Sequence, residues 1–296
     1  MPLHRMERGI LYMLLASLSF AFMGGFAKEL SQAIPPLEVT FFRNVFGVVL
    51  VLLSLTKYPL RQKGGHPWLL LFRGTIGFLA LLAYFYDFAH IPLGVAVTYN
   101  KTSPIFVAVF AWLFLGERMD RIGWMAVFLG FAGIVLIAQP EGFALDKYDW
   151  LGIFSGIGAA LAYTSIRELR HYYDTRAIVL SFMGVGTIGP LILMTISHWF
   201  HPPEWDVLFA PFVMPQGREW LWVAGVGGLA TVSQLLMTKA YEKSKAGIVG
   251  TVSYTNIVFA IIIGVMLGDP FPDRWTWMGI ALVIGSGLLV SWPRKK

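Results

Sequence analysis

A single lysine lies near the centre of a long apolar run. Residues 94–116 read GVAVTYNKTSPIFVAVFAWLFLG, and Lys101 is the only charged residue among them. If the run crosses a bilayer, Lys101 lies about nine residues in from Pro92, which is ~14 Å deep at ~1.5 Å per residue. An ammonium there is costly unless it faces water, a partner or a ligand. With the polar groups of Tyr99 and Asn100 beside it, Lys101 is interpreted as a counter-ion for a carboxylate or phosphate on a bound small molecule.

Acidic residues offer two other roles for this lysine. Asp87, Glu38 and Glu29 fall at or near predicted outer helix ends, and the lysine stem is long enough to bridge part of the distance to Asp87. A structural ion pair is therefore the main alternative to ligand binding. In a third role, Asp87 or Glu38 takes up a proton from outside and Lys101 responds, which would couple the site to protons.

Further polar residues fall at membrane depth in other apolar runs. Arg43 lies about seven residues into the second run, where direct ligand contact, snorkelling toward the outer interface and pairing with an acid there all remain open. Ser253, Tyr254 and Asn256 form a neutral cluster in the ninth run, and Gln234 lies in the eighth. These residues are predicted to join Lys101 in one binding site.

Membrane helices must position these side chains. Hydrophobic residues make up 56% of the 296 residues and charged residues only 14%, and the mean hydropathy is +0.65. A soluble chain has roughly a quarter of its residues charged. Continuous runs of membrane-spanning length indicate helices rather than the alternating strands of a barrel. Ten spans are predicted, near residues 9–29, 36–56, 67–88, 92–115, 121–138, 149–166, 177–199, 218–241, 246–267 and 274–292.

The second half of the chain resembles the first. Residues 94–117 are similar to residues 247–269, and the helices that open and close each half show the same likeness. Five spans per half is an odd number, so the second copy must enter the membrane from the opposite face. The sequence therefore predicts an inverted repeat, with one five-helix domain at residues 1–141 and the other at 142–296.

Several segments in a fixed order carry a family resemblance. They read EVTFFRNVFG (38–47), FRGTIGFLALLAYFYDFAHIPLGVAVT (72–98), SPIFVAVFAWLFLGER (103–118) and SQLLMTKAYEKSKAGIVG (233–250). With the duplication, the chain resembles the ten-helix, EamA-type branch of the drug/metabolite transporter superfamily over nearly its whole length. The resemblance implies two interlocked five-helix bundles around a central cavity, moving small organic solutes such as amino acids, their derivatives or other metabolites. Lys101 departs from the family pattern, in which this position is commonly apolar or small.

Basic residues predict the orientation of the chain. Lysine and arginine concentrate at both termini and near residues 57–63, 118–121, 167–176 and 239–245. Because short cytoplasmic loops retain basic residues, both termini are predicted to be cytoplasmic in an inner (cytoplasmic) membrane protein. Arg73, at the cytoplasmic start of the third span, is predicted to be an interfacial anchor. The long outer loop, residues 198–217, is predicted to cover the outer mouth of the cavity, as a gate or as a surface cap.

The net charge of +6 is spread over every predicted cytoplasmic loop, which favours anionic lipid over nucleic acid as a partner. The expected partners are a small-molecule substrate and membrane lipid, with the protein a monomer or a homodimer. No cofactor or metal is expected, because the chain has no cysteine and the segment with His198, His201 and Glu204 is typical of an aromatic interfacial loop.

A secondary transporter that works by alternating access fits these features best. The charge is present in one half only, since Tyr254 is the counterpart of Lys101, and this favours a carboxylate-bearing solute. A facilitative channel or a lipid scramblase is the first alternative. An intramembrane enzyme is less favoured, because predicted spans six to ten offer no embedded acid or histidine to act as a catalytic group.

Overall fold

The computed structural model describes residues 3–57, 64–115, 121–138, 145–169, 171–243, 249 and 252–291. All regular structure in these residues is helical. The helices are α1 Leu3–Leu30, α2 Pro36–Lys57, α3 Pro67–His90, α4 Leu93–Asn100, α5 Ser103–Leu115, α6 Arg121–Ala138, α7 Lys147–Leu169, α8 Thr175–Ser197, α9 Glu219–Lys243, α10 Thr255–Met266 and α11 Arg274–Ser291. One 3₁₀ turn, Pro203–Trp205, lies in the long loop.

The helices form because long apolar segments leave the backbone no hydrogen-bond partner in lipid except itself. Within the described residues, six helices are long and apolar enough to cross a membrane, and Thr255–Met266 and Arg274–Leu289 are shorter apolar helices. Large apolar side chains such as Leu53, Phe128 and Leu221 are exposed on the surface of the bundle, as lipid contact requires. The prediction of an all-α polytopic membrane protein is confirmed.

The fourth span is broken at its lysine. The sequence predicts one continuous helix over 92–115, but α4 ends at Asn100 and α5 begins at Ser103, with Lys101 and Thr102 in a turn. Pro104 explains the break, because proline has no N–H for the Asn100 carbonyl and its ring crowds that group. The Thr102 N–H instead donates to the Tyr99 carbonyl at 3.1 Å, which tightens the chain.

The ninth span is interrupted at the equivalent place. Tyr254 lies in a turn between the helical residues 252–253 and α10, and the Ile257 N–H donates to the Tyr254 carbonyl at 3.0 Å. No proline follows Tyr254 at the spacing seen in span four, so this break has a different local cause. Both interruptions fall on the two residues that the internal repeat pairs with each other.

The packing of the helices is preserved when the two halves are exchanged. Helix α1 lies along α9, and α3 lies along α7. The repeat pairs α1 with α7 (spans one and six) and α3 with α9 (spans three and eight). Exchanging the members of each pair converts the α1–α9 contact into the α7–α3 contact. Helix α2 lies beside α8, and α6 lies along α11, and each of these pairs maps onto itself. An inverted repeat predicts this pattern; the boundary between residues 141 and 142 lies outside the described residues and stays a prediction.

The connections 31–35, 91–92 and 267–273 meet at the end of the bundle that carries loop 198–218, here named the long-loop face. Lys28 Nζ lies 2.6 Å from Asp269 Oδ1 and donates to the Ile91 carbonyl at 3.1 Å. The Leu93 N–H donates to Asp269 Oδ2 at 2.8 Å. These contacts fasten the ends of α1 and α10 to the start of α4. The sequence predicts that this face is the outer one.

A second polar group at the long-loop face joins the long loop to α3 and α7. Lys147 and Tyr86 both bond to the Asp206 carboxylate, and the Tyr86 hydroxyl does so at 2.6 Å. Burial raises the pKa of Asp206, but the hydrogen bonds from Lys147 and Tyr86 outweigh burial and leave that pKa below its ordinary value. Asp206 is therefore ionised at neutral pH and holds the loop against the bundle.

Candidate functional site

Lys101 lies at the break between α4 and α5, where its side chain is partly buried. It makes no ion pair and no side-chain hydrogen bond with any residue that the structure describes. A buried cation without a counter-charge is unfavourable, so this position is suited to an anionic ligand.

The two neighbours of Lys101 have different environments. Tyr99 is fully buried between α4 and α7, where its hydroxyl donates to Asp149 Oδ1 at 2.6 Å. A Cβ atom on Gly152 of α7 would come within 2.4 Å of the Tyr99 ring, so the two helices approach closely here. Asn100 is partly buried, and its amide makes no hydrogen bond with another described residue. Tyr99 therefore anchors the broken span, while Asn100 keeps its hydrogen-bonding capacity.

The neutral cluster of the second half is tied into the helix packing. The Asn256 amide donates to the Ser17 carbonyl of α1 at 2.9 Å. Tyr254 is buried, and its ring occupies the space beside Gly287 of α11. Ser253 and Gln234 are both partly buried. Because α4 packs against α10, the two broken spans are neighbours.

The predicted acids differ in how they are engaged. Glu38 is fully buried, and its Oε2 accepts a hydrogen bond from the Val213 N–H of the long loop at 3.0 Å. Asp87 is also fully buried, but neither of its carboxylate oxygens has a hydrogen-bond partner among the described residues. Neither acid forms an ion pair with Lys101. The structural ion pair considered from the sequence is absent from this conformation.

Arg43 is 6% exposed, and no acidic side chain in the described part of the chain pairs with it. Its Nη1 donates to Asn44 Oδ1 at 2.9 Å, and its Cζ lies 5.4 Å from the centre of the Phe182 ring. Snorkelling to the interface and pairing with an acid therefore do not describe its position. Arg43 instead points between helices, toward α8.

The prediction of Arg73 as an interfacial anchor is wrong. Arg73 is only 7% exposed, and its Cζ lies 4.8 Å from the centre of the same Phe182 ring. Its position near the start of α3 suggests an interfacial side chain. The guanidinium instead points along α3 in the direction of the chain and lies over Gly77, one helical turn later. The sequence contains one sign of this position: a glycine, Gly77, four residues after Arg73 leaves room on the helix surface for the guanidinium.

Comparison with known proteins places this architecture in a family. A profile of the EamA-like transporter family matches residues 7–139 and 146–292. An uncharacterized transporter of Helicobacter pylori is 34% identical over 291 residues, covering 96% of this chain and 95% of its own. The pseudopaline exporter CntI of Pseudomonas aeruginosa is 32% identical over 297 residues, covering 100% of both chains.

A solved crystal structure supports the fold. It covers 95% of this chain and 95% of its own with a TM-score of 0.57, at 19% sequence identity. The helical architecture, the two matches to the family profile and the full-length relatives agree with one another. The chain belongs to the EamA-like transporter family, and it is a membrane transporter rather than an enzyme.

Proposed function

We propose that this protein is a secondary transporter of a small carboxylate-bearing metabolite, such as an amino acid or a derivative. The observation that carries the proposal is the ammonium of Lys101 at a helix break, which has no ion pair or side-chain hydrogen bond with any described residue. Broken helices near mid-membrane form substrate sites in secondary transporters, because their ends expose backbone polar groups. A carboxylate at Lys101 replaces the lost hydration with a charge-assisted hydrogen bond.

Alternating access is the proposed mechanism, with residues 1–141 and 142–296 as the two units that move. The exchange-symmetric packing of α1 with α9 and α3 with α7 supports this division. Lys28 and Asp269 are in contact at the long-loop face, and we propose that this contact keeps that face closed. Release of this contact, with closure of the other face, exposes the site at Lys101 to the long-loop side.

A carrier differs from a channel or a scramblase in its response to solute on the far side of the membrane. We expect proteoliposomes preloaded with an unlabelled solute to take up the labelled solute faster than empty ones, with saturation and competition. The solute for this assay is chosen by a thermal-shift screen of the purified protein against a panel of amino acids and carboxylates. Uptake that is neither saturable nor accelerated by preloading would favour the channel, and exchange of labelled lipid between leaflets would favour the scramblase.

The relatives do not fix the solute or the direction of transport. The matched Pseudomonas aeruginosa protein is named as an exporter of pseudopaline. Its name supports transport of a small organic solute here, and the chemistry at Lys101 supports a carboxylate on that solute. Import and export both use the same alternating cycle, so the assay above is run with solute gradients in both directions.

Proton coupling is assigned to Asp87 rather than to Glu38. The carboxylate of Asp87 is fully buried and has no hydrogen-bond partner among the described residues, so it is free to take up a proton, whereas Glu38 already accepts a hydrogen bond from the long loop. We expect a proton gradient to change the transport rate of the wild type, and Asp87→Asn to remove that response while preserving exchange of labelled for unlabelled solute. Glu204→Gln, at an exposed acid of the long loop, is the control. A gradient response that persists in Asp87→Asn would refute the assignment.

A further inference from the structure

Two buried guanidinium groups face one aromatic ring between α2, α3 and α8. Arg43 of α2 and Arg73 of α3 approach the Phe182 ring of α8 at 5.4 and 4.8 Å, measured from Cζ to the ring centre. The Nε atoms of both arginines and Nη1 of Arg73 have no hydrogen-bond partner among the described residues. No acidic side chain in the same residues pairs with either.

The arrangement is held in place by specific contacts. On α2, the Asn44 amide donates to the Thr40 carbonyl at 2.8 Å and to the Gly186 carbonyl of α8 at 3.2 Å, while its oxygen accepts from Arg43. The Asn44 side chain therefore fixes Arg43 relative to α8. The contact requires glycine at 186, where a Cβ atom would lie 2.5 Å from Asn44 Nδ2.

Space for the second guanidinium is also provided by a glycine. A Cβ atom on Gly77 would lie 2.5 Å from Arg73 Nη1 and 2.9 Å from the Phe182 ring. The neighbouring Ser181 hydroxyl donates to the Leu70 carbonyl at 2.8 Å, which holds α8 against α3. Any side chain at position 77 would displace Arg73 or the ring.

No acidic side chain among the described residues balances the positive charges of Arg43 and Arg73. Both guanidinium groups face the Phe182 ring, so two positive charges lie close together in one buried cluster. Attraction to the face of Phe182 offsets part of the lost hydration but leaves both positive charges in place. The planar guanidinium fork matches the oxygens of a carboxylate or a phosphate, so an anion is the partner that fits.

We infer that Arg43, Arg73 and Phe182 form a second anion site, which binds a further acidic group of the transported solute. The inference rests on the proposed transport function, and it narrows the solute class to molecules with at least two acidic groups, carboxylate or phosphate. An anionic lipid headgroup has the same chemistry, and the experiment separates the two sources.

The test uses purified full-length protein with succinate, butyrate and inorganic phosphate as probes. At constant ionic strength, succinate and phosphate are expected to raise the melting temperature of the wild type above the chloride control, and butyrate to do so less. Arg43→Gln and Arg73→Gln should each weaken succinate binding at least about tenfold, because each removes a charge-assisted bond. No stabilisation of the wild type by either succinate or phosphate would overturn the inference.

A matched glycine pair keeps both arginines and tests their placement. Gly77→Ala should weaken succinate binding, because its new methyl group meets Arg73 and Phe182. Gly184→Ala, on α8, meets no atom within 4 Å and should bind succinate like the wild type. Equal binding by both variants would contradict the assigned site. Arg73→Lys retains the charge without the fork, so it serves if the glutamine variants fail to fold.

Two further measurements separate the remaining outcomes. If phosphatidylglycerol in the proteoliposomes stabilises the wild type but not Arg43→Gln, and succinate has no effect, the site binds lipid and the inference fails. If succinate binding depends on the arginines but preloaded proteoliposomes show no accelerated uptake, the anion site stands and the transport proposal fails. If accelerated uptake occurs and the arginine variants bind succinate normally, only the anion site fails.

Discussion

Replacement of Lys101 by alanine or glutamine is expected to abolish transport while leaving the protein folded and inserted. Loss of one charge-assisted hydrogen bond to the solute lowers affinity by about ten- to a hundredfold, so uptake measured at solute concentrations below the wild-type Kd should fall close to background. Stability should not fall, because Lys101 has no ion pair with a described residue for the substitution to break. Uptake into proteoliposomes and the melting temperature of the purified variant measure the two effects separately.

A double substitution distinguishes the ligand role of Lys101 from a structural one. If Lys101 pairs with Asp87 in any conformation that supports stability, each alanine variant should destabilise the protein and the double variant should recover much of the loss. The structure predicts no such recovery, because the two side chains are not joined. Lys101→Arg, which keeps the charge, should retain part of the transport. Unchanged uptake kinetics in Lys101→Gln would exclude contact with the solute.

Asp269→Asn is expected to open the long-loop face. The Lys28 and Asp269 side chains are only 13% and 10% exposed, and removal of one partner leaves the other charge buried. Breaking such a pair costs about 3–5 kcal/mol. The substitution preserves the shape of Asp269 and an oxygen that accepts from the Leu93 N–H, so the effect reports the charge.

Cysteine labelling measures this opening directly, since the chain has no native cysteine. Val95→Cys lies beside Asp269, and a membrane-impermeant maleimide should modify it faster in the Asp269→Asn background. The double variant Lys28→Met, Asp269→Asn should recover stability. Asp206→Asn, in a pair whose side chains are 41% and 46% exposed, should change stability by no more than about 1 kcal/mol. Equal labelling rates with and without Asp269→Asn would show that the contact does not close this face.

The spans could be predicted from the sequence because their signal is local. Length and apolar composition of a segment such as Pro36–Lys57 decide whether it crosses a bilayer, and no distant residue changes that answer. The break in span four was also visible in principle, since Pro104 removes a hydrogen bond within its own helix. The break at Tyr254 has no such local marker and required the structure.

The candidate site depends on contacts that the sequence does not contain. The depth of Lys101 follows from counting residues, whereas the absence of an acid beside it depends on how α3 and α4 rotate about their axes. The prediction that Arg73 lies at the membrane interface is wrong for the same reason. Its position follows from Phe182, which is on another helix, and distance from a helix end does not reveal which way a long side chain points.

The break at Lys101 divides span four into two helical segments joined by a possible hinge. Pro104 removes the helical hydrogen bond to the Asn100 carbonyl, and turn bonds such as that from the Thr102 N–H to the Tyr99 carbonyl connect the two segments instead. A change in the angle between α4 and α5 therefore disturbs fewer helical hydrogen bonds than it would in a continuous helix. Helix α4 packs on α10 and α7, and α5 packs on α7, α6 and α11. We therefore propose that the angle between α4 and α5 changes during the transport cycle and that this change reorients the ammonium of Lys101.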